Sequence, residues 1–123
     1  MRYVCLIHID ESQLGAVPSA ELDALNAGHV ALNRDLQQSG HFIEAEALGP
    51  SGSARLVRVR EGRPRVIDGP YAESKEVVAG FYLIEARDLD EAAAIAARMP
   101  GATLGTVEVR PTQRLTVGGE VVW

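Results

Sequence analysis

The spacing of apolar residues changes period along the chain, and each change predicts a new element. Tyr3, Cys5, Ile7 and Ile9 fall on one side of an extended segment and Val4 and Leu6 on the other, so "RYVCLIHI" reads as a strand covered on both faces. Leu22, Leu25, His29, Leu32 and Leu36 then recur every three or four residues. That spacing predicts an amphipathic helix with Ser19 as N-cap, Glu21 in its first turn and Gly40 as its stop. Alternation returns in "HFIEAEAL", which ends at the loop Gly49-Pro50-Ser51-Gly52. Next, "ARLVRVR" and "RVID" flank a Glu61-Gly62 turn and predict a hairpin, with Pro64 limiting one strand near its start. After "DGPYAESKE" comes a further apolar strand, "VVAGFYLIEA". Asp88 caps the helix "LDEAAAIAARM", with Glu91 as the capping-box partner and Ala92, Ile95, Ala96 and Met99 as the apolar face; Pro100-Gly101 ends it. "TLGTVEVRP" predicts a last strand, and "TQRLTVGGEVVW" a small Gly118-Gly119 hairpin or an extended arm.

The predicted order is β-α-β-β-β-β-α-β. Two helices covering one face of a largely antiparallel sheet make a ferredoxin-like two-layer α+β sandwich. Several strands are apolar on both faces, so a homodimer built through the uncovered face is expected, with the apolar tail "EVVW" pointing the same way. A length of 123 residues suits one domain, taken as residues 1–111 with an arm at 112–123 that joins the dimer.

Composition removes several function classes. Hydrophobic residues at 46% and charged residues at 24% fit a globular chain, and no window approaches the ~18 apolar residues of a spanning helix, so no membrane partner is expected. The N-terminus reads as a strand and not a signal peptide, which makes the cytoplasm the expected location. Cys5, the single cysteine, forms no intrachain disulfide and reads as a buried apolar residue. The net charge of −5 argues against nucleic acid as a partner. Five of the twelve basic residues nevertheless crowd into "RLVRVREGRPR". They suit either a small anion or acidic partner, or a solvated hairpin whose arginines discourage edge-to-edge aggregation.

The long run "DGPYAESKEVVAGFYLIEARDLDEAAAIAARMPGA", followed by "GTVEVRP", resembles the DGPF-type, YCII-related proteins, with Tyr71 where the name-giving phenylalanine stands. The resemblance extends over roughly residues 1–111 and implies a ferredoxin-like fold and a homodimer. It also implies that most relatives lack an assigned activity. Some are encoded beside extracytoplasmic-function sigma factors, which links them to a stress response, and one branch includes a dehydrochlorinase. The wider family uses a histidine on the first helix, in a His-Leu-Ala-like context with a glycine eleven residues on, paired with an aspartate just before a proline after the second helix. "HVALNRDLQQSG" places His29 at the first position, whereas Met99 precedes Pro100 where the acid is expected.

His29 therefore reads either as a core histidine bonded to a main-chain carbonyl or as a general acid or base. For the second role Asp68, Glu44 or Glu46 is the candidate orienting carboxylate, and Gly28 beside it suits close packing or ligand approach. His8 and Asp10 end the first strand, where either a site or an ordinary exit from the core is expected. His41 is expected to be exposed. In "DGPYAESKE", Asp68 and Pro70 suit a rigid turn, residues 73–76 suit one helical turn, and Tyr71 and Asp68 join His29 if the segment borders a cleft. No metal site and no cofactor are expected, since the histidines lack ligand spacing and no nucleotide fingerprint occurs. Two functions remain. One is a non-catalytic dimer binding a small ligand or partner. The other is a lyase-like acid-base enzyme acting on a small anionic substrate, with His29 and Asp68 catalytic and Arg58, Arg60, Tyr71 and His8 binding the ligand.

Overall fold

Arg2–Asp10 forms β1, and the side carrying Tyr3, Cys5, Ile7 and Ile9 is buried throughout. The structure, a computed structural model, describes residues 1–72 and 74–123. After β1 come α1 (Glu11–Gly15), α2 (Ser19–Ser39), β2 (Phe42–Ala47), a 3₁₀ turn (Ser51–Ser53), β3 (Arg55–Arg60) and β4 (Arg63–Asp68). The chain continues through β5 (Glu76–Glu85), α3 (Leu89–Ala96), α4 (Gly101–Leu104), β6 (Thr106–Pro111), β7 (Thr116–Val117) and β8 (Glu120–Val121). The fold is α+β, with an open, four-stranded antiparallel sheet in the order β2-β5-β1-β6. The pairs β3-β4 and β7-β8 are separate two-stranded ribbons.

The register explains which residues meet. Tyr3 lies opposite Ile84, Cys5 opposite Tyr82 and Ile7 opposite Gly80, so one face of the two central strands is continuous. On that face they form one buried cluster with Leu32 and Leu36 of α2, Ala92, Ile95 and Ala96 of α3, and Met99. The opposite face carries Val4 and Leu6 beside Phe81 and Leu83, all partly exposed, with Glu44 and Glu46 on β2 to one side and Glu108 and Arg110 on β6 to the other. No helix among the described residues is long and apolar enough to cross a membrane.

Asp88 caps α3 as expected: its Oδ1 accepts from Glu91 N at 2.8 Å, while Glu91 Oε1 accepts from Arg87 N at 3.0 Å. The hairpin turn also forms where expected, with Glu61 and Gly62 both at positive φ (54° and 72°), as a type I′ turn requires. Other boundaries differ. Pro18 takes the cap position of α2, and Ser19 is its first helical residue without a side-chain cap bond. Asp10 buries its carboxyl as the cap of the short helix α1, which the apolar periodicity did not predict: its Oδ1 accepts from Ser12 N at 2.9 Å and Ser12 Oγ at 2.6 Å. Those bonds, chiefly the one from the serine hydroxyl, hold the Asp10 carboxyl below the usual carboxylate range. Pro100-Gly101 does not lead straight into a strand but opens α4, so β6 begins at Thr106. Glu73 lies outside the described residues; Lys75 sits in a bend and Glu76 already belongs to β5, in place of the suggested helical turn.

Candidate functional site

The apolar stripe of α2 is used unevenly. Leu32 and Leu36, in its C-terminal half, are buried, whereas Leu22, Leu25 and His29 are half-buried and line a cavity of about 630 Å³ between the helix and the sheet. Ile7, Ile9, Ala45 and Val78 form the floor, and Leu14 of α1 and the Leu48–Pro50 segment form the side walls. The polar lining from the helix is Asn26, His29 and Asn33, positions that fall within one stripe because they are spaced by three and four residues. Asn33 Oδ1 is buried without a hydrogen-bond partner among the described residues.

His29 is held from two directions. Its Nδ1 shares a 2.8 Å hydrogen bond with the Tyr82 hydroxyl, and the two rings lie 5.9 Å apart at a 31° tilt. On the other side the Pro100-Gly101 turn presses against Gly28-His29. A Cβ on Gly28 would come 2.9 Å from Pro100 Cγ, and one on Gly101 would come 2.7 Å from Ile7 Cγ2 and 3.8 Å from His29 Nε2. Glycine is needed at both positions for this approach. Burial lowers the His29 pKa from its ordinary value and raises that of Tyr82 to about 12, the nearby Cys5 adding to the latter. Cys5 itself is pushed up to about 11 by burial. The His29–Tyr82 pair is therefore neutral at pH 7, a ring nitrogen and a hydroxyl and not an ion pair.

Tyr82 carries no obvious motif, yet the sequence held a signal for it. It shares a buried strand face with Ile84, and a buried tyrosine hydroxyl demands a polar partner. His29 supplies one. Met99, at the position where the resemblance puts an acid, is fully buried in the core. Asp68 does not fill that role: it lies on the exposed ribbon β3-β4, 3.3 Å from Arg55 Nε, and does not line the cavity. Glu11 and Glu46 are the acidic residues of the lining, which includes neither lysine nor arginine; Glu46 shares the face of β2 that carries Glu44, so its carboxylate is turned away from α2. Glu11 is engaged across the mouth. Its carboxylate accepts from Ser51 N at 2.9 Å and from the Ser51 hydroxyl, contacts that lower its pKa and tether the 3₁₀ turn to α1.

The remaining candidates lie elsewhere. His8 projects from the uncovered sheet face, with Nε2 3.1 Å from Glu108 Oε1, and lines a second cavity of about 560 Å³ with Tyr71, Leu56 and Pro70. Leu48, Gly49, Pro50 and Val78 line both cavities, so the two adjoin, with His29 in the first and Tyr71 in the second. Arg58 and Arg60 are exposed on the ribbon and line neither. His41 is half-buried, bonded through Nδ1 to Ser39 Oγ at 2.7 Å and through Nε2 to Glu91 at 3.2 Å, where exposure was expected. Among the described residues no three His, Cys, Asp or Glu side chains gather as a metal would require.

Comparison with known proteins adds a family and one relative. The model of the YCII-related domain matches residues 1–116. An uncharacterised protein of Rhizobium meliloti (strain 1021) is 35% identical over 113 residues, which cover 90% of this chain and 91% of the relative.

Proposed function

This chain belongs to the YCII-related family, and from that premise we propose that it is a non-catalytic, dimeric binding protein of ferredoxin-like topology that takes a small, largely apolar molecule between α2 and the sheet. One observation carries the reading: an amphipathic helix leaves Leu22 and Leu25 half-buried above a cavity of about 630 Å³, within the size range of small-molecule sites. A guest there would complete the burial that α2 achieves at Leu32 and Leu36. The lining favours a neutral guest over the anion that the arginines suggested, because Arg58 and Arg60 do not line the cavity and Glu11 does. His29, Asn26 and Asn33 supply its hydrogen bonds. Strand order and helix placement support the topology, and the partly exposed Val4, Leu6, Phe81 and Leu83 support a dimer through that face. Titrating the protein with cyclohexanol and benzyl alcohol while recording amide spectra tests the binding. Shifts centred on Leu25, His29 and Ala45, abolished by Leu25→Trp, are expected; shifts scattered over the surface, or persisting in the filled variant, would refute it.

Acid-base chemistry at His29 is the second reading, favoured by the neutral imidazole that burial maintains at the cavity wall. Binding that survives His29→Gln beside a turnover that does not would favour it over the first.

A further inference from the structure

The β3-β4 ribbon has two unlike faces. Directly opposed residues share a face, so Arg55, Val57, Val59, Pro64, Val66 and Asp68 lie on one side. The other side carries Leu56 opposite Ile67, Arg58 opposite Arg65, and Arg60 opposite Arg63. Two cross-strand pairs of like charge destabilise a two-stranded ribbon that is already marginal alone. Arg55 pairs with Asp68 on the first face; among the described residues the four arginines of the second form no ion pair.

At its base, the arginine face of the ribbon meets the uncovered side of the sheet. Leu56 belongs to that face and lines the same cavity as His8, which projects from the sheet beside Leu6 and Val4. Ribbon and sheet thus border one concavity. From Arg55 to Asp68 the chain carries five arginines against Glu61 and Asp68, a net +3 in a chain of net −5, so the remainder carries −8. Part of that excess acid borders the uncovered apolar strip as Glu44, Glu46 and Glu108. The sheet face alone is small. Four strands about 4.8 Å apart and about 20 Å long give about 400 Å², half the roughly 800 Å² per partner of a standard interface.

We propose that the arginine face of the ribbon clasps a second copy of this chain, its guanidiniums engaging Glu44 and Glu46 at the rim of the partner's sheet face while the two apolar strips meet. This rests on the dimer proposed above and adds what sets its affinity and register. By symmetry each copy both clasps and is clasped.

Sedimentation equilibrium at graded salt tests it, with three variants checked for folding by circular dichroism. Arg58→Glu/Arg65→Glu keeps a like-charged cross-strand pair, so the ribbon's own repulsion is unchanged. It and Glu44→Arg/Glu46→Arg should each weaken the dimer by about tenfold or more, and the combined four-residue variant should recover most of the loss. Wild-type affinity should fall as salt rises. A wild type that is monomeric at 100 μM would remove the dimer reading itself, and this inference with it. A dimer indifferent to salt and to every reversal would leave the dimer standing and overturn the clasp alone. Failure of the combined variant to recover would overturn the assignment to Glu44 and Glu46. Reversals that abolish heparin binding without touching the dimer would overturn the second copy as the occupant in favour of a separate polyanion.

Discussion

Replacing Tyr82 by phenylalanine removes one oxygen from the strand face beneath α2 and nothing else, because the ring keeps its volume against Cys5 and Ile84. The lost contact is the 2.8 Å bond to His29 Nδ1, between two groups that burial keeps neutral. A neutral hydrogen bond contributes about 1 kcal/mol net, and leaving a buried partner unpaired costs about 1–3 kcal/mol. His29 is half-buried at a cavity wall, so solvent can reach part of the freed ring and the lower end applies. The expected loss is therefore about 1–2 kcal/mol, or about 3–8 °C in Tm for a chain of this size. Urea unfolding should be followed by far-UV circular dichroism at fixed protein concentration, since a dimer's apparent stability depends on concentration. Indole fluorescence is unsuitable because the single tryptophan, Trp123, is 81% exposed in the C-terminal arm and reports little of the core. A double-mutant cycle with His29→Leu isolates the pair, and a coupling of about 1 kcal/mol is expected. Tyr82→Phe with unchanged stability, or a coupling near zero, would refute the claim that this bond fixes His29.

Two further outcomes follow from the same geometry. Because burial lowers the His29 pKa in the folded chain, the unfolded chain takes up that proton first as pH falls through its ordinary value near 6.5. Stability should thus be lost on acidification from pH 7.5 to 5.5 and lost less in His29→Gln; parallel urea midpoints for the two proteins would contradict the direction. Met99 is fully buried, so Met99→Ala should cost about 2–5 kcal/mol, read from the urea midpoint, whereas a residue placed there for catalysis alone would lose less than about 1 kcal/mol.

What could be read from the residues alone was governed by period and by turn chemistry. β1 and β5 announced themselves by apolar residues on both faces, α2 by its leucine stripe, α3 by Asp88 and Glu91, and the ribbon by Glu61-Gly62. Elements of little more than one helical turn escaped: α1 and α4 span five and four residues, too few for a stripe to show. Their signals were local, Asp10 two residues before Ser12 and the Pro100-Gly101 start. His29 was legible as a candidate because a histidine interrupts the leucines. Its partner was not, since the distance from residue 29 to residue 82 is set by the register of β5 against β1 and by how α2 crosses them, and neither is written in a local pattern. Asp68 joins His29 only if its segment borders the same cleft, and it belongs instead to the separate β3-β4 ribbon, outside the residues that line the cavity.

In the proposed function, the space beneath Leu22, Leu25 and His29 receives a small neutral molecule. A crystal structure of the protein soaked with benzyl alcohol tests it most directly. The ring is expected between Leu25 and Val78, with its hydroxyl bonded to His29, Asn26 or Asn33. A cavity closed by α2 lying flat on the sheet, or the probe bound only beside Tyr71 in the second cavity, would contradict it.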